Sequence, residues 1–175
     1  MTLVIYAGKY GTTKRYAQWI AQQTDGDLYP VQRVTAKLLL RYDTVVYGGA
    51  VYNGVIQGLR FVKKHLAALK ERRLILYTVG LTMPGDEASF QAMLSRNLTP
   101  EELEGIRTFH FLGAIRFKGL NTREKLMMWL LKSAVSKKHA RSPVEADLLE
   151  CYNGELDYAN EAYVKDLVAE LWKGE

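Results

Sequence analysis

The sequence predicts an α/β three-layer sandwich: a five-stranded parallel sheet of order 2-1-3-4-5, helices on both faces, and an insertion after the fifth strand. Three observations lead there. Short apolar runs recur at Leu3–Tyr6, Thr44–Tyr47 and Leu74–Val79, continuous rather than alternating, as strands covered on both faces require. Segments of helical period separate them. Each of these runs ends in small residues, at Ala7, Gly48 and Gly80, and in a parallel sheet such junctions lie where ligands bind, beyond the carboxyl ends of the strands.

Each element has its own signal. After the first strand and its glycine-bearing loop, Tyr16, Ala17, Trp19, Ile20 and Ala21 mark the apolar side of the first helix. Asp25-Gly26-Asp27 is a turn. Leu28–Val34 reads as a short edge strand, because Pro30 removes a donor. Gly48–Gly54 reads as a second loop after the third strand, and a helix from about Gly58 to Lys70 carries Leu59, Val62, Leu66 and Leu69 on one face. Gly80–Asp86 is a third loop and Glu87–Leu94 a helix. Thr99-Pro100-Glu101-Glu102 has the form of a helix start, with an N-cap, a proline in the first turn and a glutamate three residues on. Phe109–Ile115 is the fifth strand, and Tyr158–Trp172 the closing helix.

Composition bounds the class. At 175 residues, 48% hydrophobic and 25% charged, the chain is expected to be one domain, 1–175, with a basic and apolar insertion at about 116–154. One cysteine, Cys151, excludes an intramolecular disulfide and fits a reducing compartment. The N-terminus runs straight into a strand, so no signal peptide is expected, and no apolar run approaches the ~20 residues that span a bilayer. His65, His110 and His139 lie far apart with no metal-ligand spacing, so no metal is expected. The net charge of +5 is unevenly placed. Arg116, Lys118, Arg123, Lys125, Lys132, Lys137, Lys138 and Arg141 stand against a single acid, Glu124, between Ile115 and Arg141.

The loops carry the chemistry. Gly8, Lys9, Tyr10, Gly11, Thr12 and Thr13 join a buried strand to a helix start, where unpaired backbone N–H groups, the positive end of the helix dipole and two hydroxyls suit a phosphate. This is neither a P-loop nor the dinucleotide fingerprint, since G-x-x-x-x-G-K-[ST] and G-x-G-x-x-G are both absent. In the second loop, Ala50, Val51, Tyr52, Asn53 and Gly54 offer an aromatic ring for stacking. Gly49, Asn53 and Gly54 tolerate positive φ there. Gly80, Leu81 and Thr82 could close the other side of a pocket, or simply connect strand to helix. No residue at these loops stands out as a catalytic acid or base.

Over nearly its full length the sequence resembles the flavodoxin family, through Leu3–Thr13, Val45–Gly54 and Leu74–Thr82. The first loop is similar to that family's phosphate loop, roughly [ST]-x-[ST]-G-x-[ST]: Gly11 and Thr13 match, while Ala7 and Gly8 replace hydroxyl residues. Within the family it most resembles the menaquinone-dependent protoporphyrinogen oxidase branch, through Phe61–His65, Gly113–Phe117 and the long insertion. The resemblance implies a flavodoxin-like fold, non-covalent FMN held by the three loops, an electron-transfer role and, for that branch, a quinone as electron partner.

The insertion adds a second question. Leu126-Met127-Met128-Trp129-Leu130-Leu131 is longer than one helical turn, so a helix there points apolar side chains in all directions. It could pack on its own domain, on a partner, or in the headgroup layer of an anionic membrane through residues 116–141. Nucleic acid is not expected, because aromatic and basic residues form no stacking surface. Two readings follow for a cytoplasmic protein, or one peripheral at the inner face of the membrane. One is an FMN-dependent oxidoreductase passing electrons from a reduced substrate, such as protoporphyrinogen, to a quinone or other carrier. The other is a flavodoxin-type electron carrier serving a redox protein. A fold of this kind without FMN, used for interaction, is a third.

Overall fold

The first strand, β1 (Thr2–Ala7), is the second from one edge of the sheet and pairs in parallel with β2 (Asp27–Pro30) on one side and β3 (Thr44–Tyr52) on the other. β3 pairs with β5 (Arg73–Gly80), and β5 with β6 (Arg107–Leu112), all parallel. A short antiparallel strand, β4 (Val55–Ile56), folds back on β3. The order β2-β1-β3-β5-β6 is the one expected for the five parallel strands. The computed structural model describes residues 1–83, 85–152 and 154–173, without the side chains of Arg116 and Lys118. Pro84 of the third loop therefore lies outside the described residues, as do those two side chains of the basic segment.

Alternate residues of the strands feed two cores. Leu3, Ile5, Val45, Tyr47, Leu74 and Leu76 face one side, with Leu39, Leu59, Val62, Leu69, Phe90, Met93 and Leu94 packed against that cluster. Val4, Val46, Ile75 and Tyr77 face the other, with Tyr16, Ala17 and Ile20 of α1 (Thr12–Thr24) and Leu167 and Leu171 of the C-terminal helix. Helices on both faces make three layers.

Several boundaries differ from the sequence reading. β2 ends at Pro30 and a 3-10 turn, Val31–Arg33, replaces the rest of the expected strand. A short helix, α2 (Ala36–Leu39), follows. The expected helix from Gly58 to Lys70 is two, α3 (Leu59–Lys64) and α4 (Leu66–Lys70). They meet at His65, whose backbone leaves helical geometry and whose N–H is shared between the carbonyls of Phe61 and Val62. α5 (Glu87–Asn97) runs three residues beyond its expected end. The Thr99 capping box forms as expected and opens α6 (Pro100–Leu103). β6 starts and ends earlier than expected.

The chain divides into two compact units, residues 1–112 with 159–175, and residues 113–158. In the second, β7 (Ala114–Arg116), expected as the end of the fifth strand, instead pairs antiparallel with β8 (Glu155–Asp157). Between them lie α7 (Thr122–Ser136) and α8 (Pro143–Glu150), each opened by a capping box, Asn121 with Glu124 and Ser142 with Glu145. In the first unit the closing helix starts as a 3-10 turn, Glu161–Val164, and continues as α9 (Lys165–Trp172), rather than running from Tyr158.

Candidate functional site

The first loop leaves β1 at Ala7 and enters α1 at Gly11, whose φ of 89° places it in the left-handed region that glycine adopts without strain. No side chain caps α1, and its first turn holds no acid. Neither a side-chain cap nor an acid therefore offsets the positive end of the helix dipole at this turn. Thr13 is buried at 2% exposure, while Thr12 is half-buried. A side chain on Gly8 would meet the Thr13 hydroxyl at 2.7 Å and Ala50 at 3.3 Å. The loop is thus pressed on both its own helix and β3.

The second loop differs from its expectation. Gly48 to Tyr52 are strand, not loop, because β3 continues past its neighbour's end to form a hairpin with β4. Tyr52 pairs with Val55, and Asn53 and Gly54 between them have φ of 52° and 75°. Two positive φ values in a two-residue Asn-Gly connection are the type I′ turn that matches strand twist. Gly49, expected to supply such a conformation, lies within β3 instead.

The three loops meet. Gly8 abuts Ala50, and the Tyr10 and Tyr52 rings stand edge to face at 5.9 Å, with the Lys9 ammonium 5.0 Å from the Tyr10 ring. Gly80, the last residue of β5, lies so near Val51 that a Cβ there would come within 3.3 Å of it. Leu81 and Thr82 follow, half-buried. All three sequence-predicted loops therefore converge at the carboxyl edge of β1, β3 and β5.

What holds them there was not foreseen. The Tyr77 ring fills the space above Gly48, and its hydroxyl donates to the Thr13 carbonyl at 3.1 Å, tying β5 to the first turn of α1. On the opposite face, the Tyr47 hydroxyl donates to the Gln57 carbonyl at 2.8 Å, fixing the exit of the hairpin. Burial raises both phenols well above their ordinary value, so both stay protonated and donate. Asn97 of α5 reaches the hairpin from outside. Under the third loop, the Thr78 hydroxyl bonds His110 Nδ1 at 2.7 Å, and the Phe90 ring lies 5.4 Å from the imidazole. Burial lowers His110 to about 4, against an opposing hydrogen bond to the Thr82 backbone, so the ring is neutral. The Asn-Gly pair between β-prone residues was a readable hairpin signal. Tyr47, Tyr77, Asn97 and His110 had no signal of their own.

Among the described residues, no group of three or more His, Cys, Asp or Glu side chains could hold a metal, and no helix is long and apolar enough to cross a membrane.

A family model described as a flavodoxin domain matches residues 3–142. No curated protein sequence matches the chain. Solved structures with a similar fold include the two-electron reduced flavodoxin of Megasphaera elsdenii, at 12% identity over 64% of this chain and 85% of that one, TM-score 0.44. Others are a WrbA-like flavodoxin from Agrobacterium tumefaciens (13%, 97% of each chain, TM-score 0.42) and the Trp repressor binding protein of Bacillus subtilis (14%, 81% of this chain and 100% of that one, TM-score 0.45). The likeness to these structures concerns the fold alone. With the family match covering most of its length, the chain belongs to the flavodoxin domain family, and its cofactor is FMN.

Proposed function

We propose that this chain is an oxidoreductase that uses FMN to pass electrons from a reduced substrate to a quinone, with protoporphyrinogen as the candidate substrate. FMN, when bound, supplies one- and two-electron transfer chemistry. The observation that carries the reading is an uncapped helix start set beside a pair of tyrosines at one sheet edge. The residues fit the nucleotide. The N–H groups from Gly8 to Thr13 and the Thr12 hydroxyl would hold its phosphate, and the closeness of Gly8 to Thr13 leaves room there only for backbone. Tyr52, with Ala50, Val51, Asn53 and Gly54, would lie along the ring, and Gly80, Leu81 and Thr82 would close its far side. The neutral phenols of Tyr47 and Tyr77 keep these loops in place without adding charge. Each electron pair and its two protons leaving the substrate reappear on one quinol.

The inserted unit supports the quinone part of this reading. Leu126, Met127, Trp129, Leu130 and Leu131 of α7 are 38–56% exposed, and Arg123 and Lys125 beside them are exposed as well. Large exposed apolar side chains with basic neighbours and a tryptophan suit the headgroup layer of an anionic membrane, next to the hydrocarbon interior in which isoprenoid quinones dissolve. Purified protein should be yellow and release FMN on heating. It should oxidise protoporphyrinogen with a menaquinone analogue as sole acceptor. Turnover only when a separate reductase is added would instead make it a carrier. Vesicles containing anionic phospholipid should float the protein and neutral phosphatidylcholine vesicles should not. Absence of flotation on anionic vesicles would remove the membrane part.

A further inference from the structure

The hairpin that carries Tyr52 is gripped by one side chain from a helix 41 residues away in sequence. Asn97, at the last turn of α5, donates through Nδ2 to the Gly54 carbonyl at 2.6 Å and to the Met93 carbonyl at 2.8 Å. Its Oδ1 accepts from the Ile56 N–H at 2.9 Å. The amide orientation is fixed by this network, since the reverse would set its oxygen against two carbonyls. β4 is only two residues long, and among the described residues no strand pairs with its outer edge. Asn97 takes the place of one: it supplies an acceptor and a donor to the outer edge as a peptide would. It also locks to its own helix through Met93, so the hairpin is referred to the body of α5. The type I′ turn at Asn53-Gly54 then has one orientation.

We infer that Asn97 is a positioning residue for the cofactor, holding the Asn53–Gly54 turn in the geometry that receives the flavin ring. This rests on the FMN reading above. It acts through the hairpin, with no contact of its own to the ring. Losing it would leave the Gly54 carbonyl and Ile56 N–H without their partner, and the turn would sample other orientations. Binding would then have to reorder it, at a cost in affinity.

The test is titration of FMN into the apo form of the full chain, by flavin fluorescence, for wild type, Asn97→Ala and Asn97→Asp. Hydrogen exchange at the Ile56 amide is followed in each apo protein. We expect Asn97→Ala to raise Kd about tenfold, with faster exchange at Ile56 and an unchanged far-UV spectrum. Asn97→Asp repels the Gly54 carbonyl while ionised. Its Kd relative to wild type should recover as pH falls and the protonated carboxyl donates again. That rescue also serves if the alanine variant fails to fold. Unaltered Kd in both variants, or an aspartate Kd that never responds to pH, would overturn the inference. Absence of FMN binding by the wild type would overturn the site reading itself, and is read from a separate arm.

Discussion

Two apolar runs of similar length meet opposite fates in this protein. In the sheet unit, Leu3, Val4 and Ile5 have no exposed surface at all, nor do Val45 and Val46. In the inserted unit, the run from Leu126 to Leu131 leaves Leu126 56% and Trp129 55% exposed. The difference lies in geometry more than in composition. A strand sends successive side chains to two faces, and helices cover both. A helix spreads six consecutive side chains around its whole circumference, and only a part of that can meet its own unit. Among the described residues of α7, Val135 near its far end is the buried one. Burial in the sheet unit serves stability, while most of the apolar run of α7 stays in contact with solvent.

Truncation separates the two most strongly. Leu76→Ala, at 2% exposure within the sheet core, should cost 2–5 kcal/mol by denaturant unfolding (about the usual range for buried leucines). Leu130→Ala, at 47% exposure, should change stability by no more than about 0.5 kcal/mol. A large loss at Leu130 would break the comparison, since it would mean that α7 is covered. The buried polar contacts come next. The Tyr16 hydroxyl donates to the Leu112 carbonyl at 2.8 Å and accepts from the Asn160 N–H at 3.3 Å. Tyr16→Phe strands both, at about 1–3 kcal/mol. Thermal or denaturant unfolding with an unaltered m-value would show it.

A smaller effect compares the units directly. Thr99 and Ser142 head capping boxes of the same form, one in each unit. Thr99→Ala and Ser142→Ala should each lose about 1 kcal/mol of local stability. Hydrogen exchange should place the Ser142 loss within residues 113–158 and the Thr99 loss outside them. The last test uses pH. His110 is neutral in the fold, with its value lowered from 6.5 to about 4, so the unfolded chain binds the proton first. Its contribution is complete above pH 6.5, declines as pH falls, and is gone by about pH 4. His110→Leu should flatten the acid limb of stability in that window. A limb unchanged in slope there would assign it to carboxylates instead.

Much of the sheet unit was legible because its signals are local. Leu3–Tyr6 followed by glycines and an amphipathic segment reads as strand, loop and helix without any partner. Thr99 announces its own cap through Glu102. The break at His65 was hidden, since Leu59, Val62, Leu66 and Leu69 keep one helical face on both sides of it. The strand character of Gly48–Tyr52 was hidden as well, because two glycines and an alanine look like a loop until β5 and β4 pair with them.

The order of elements, the parallel sheet and the position of the first glycine-bearing loop follow from periodicity and turn chemistry, which act within a few residues and are therefore written in the sequence itself. Which loops touch, and what steadies them, was decided by the fold. Tyr77 reaches Thr13 across 64 positions, and Asn97 reaches Ile56 across 41. Such contacts depend on strand register and on where helices land, and no local pattern encodes those distances.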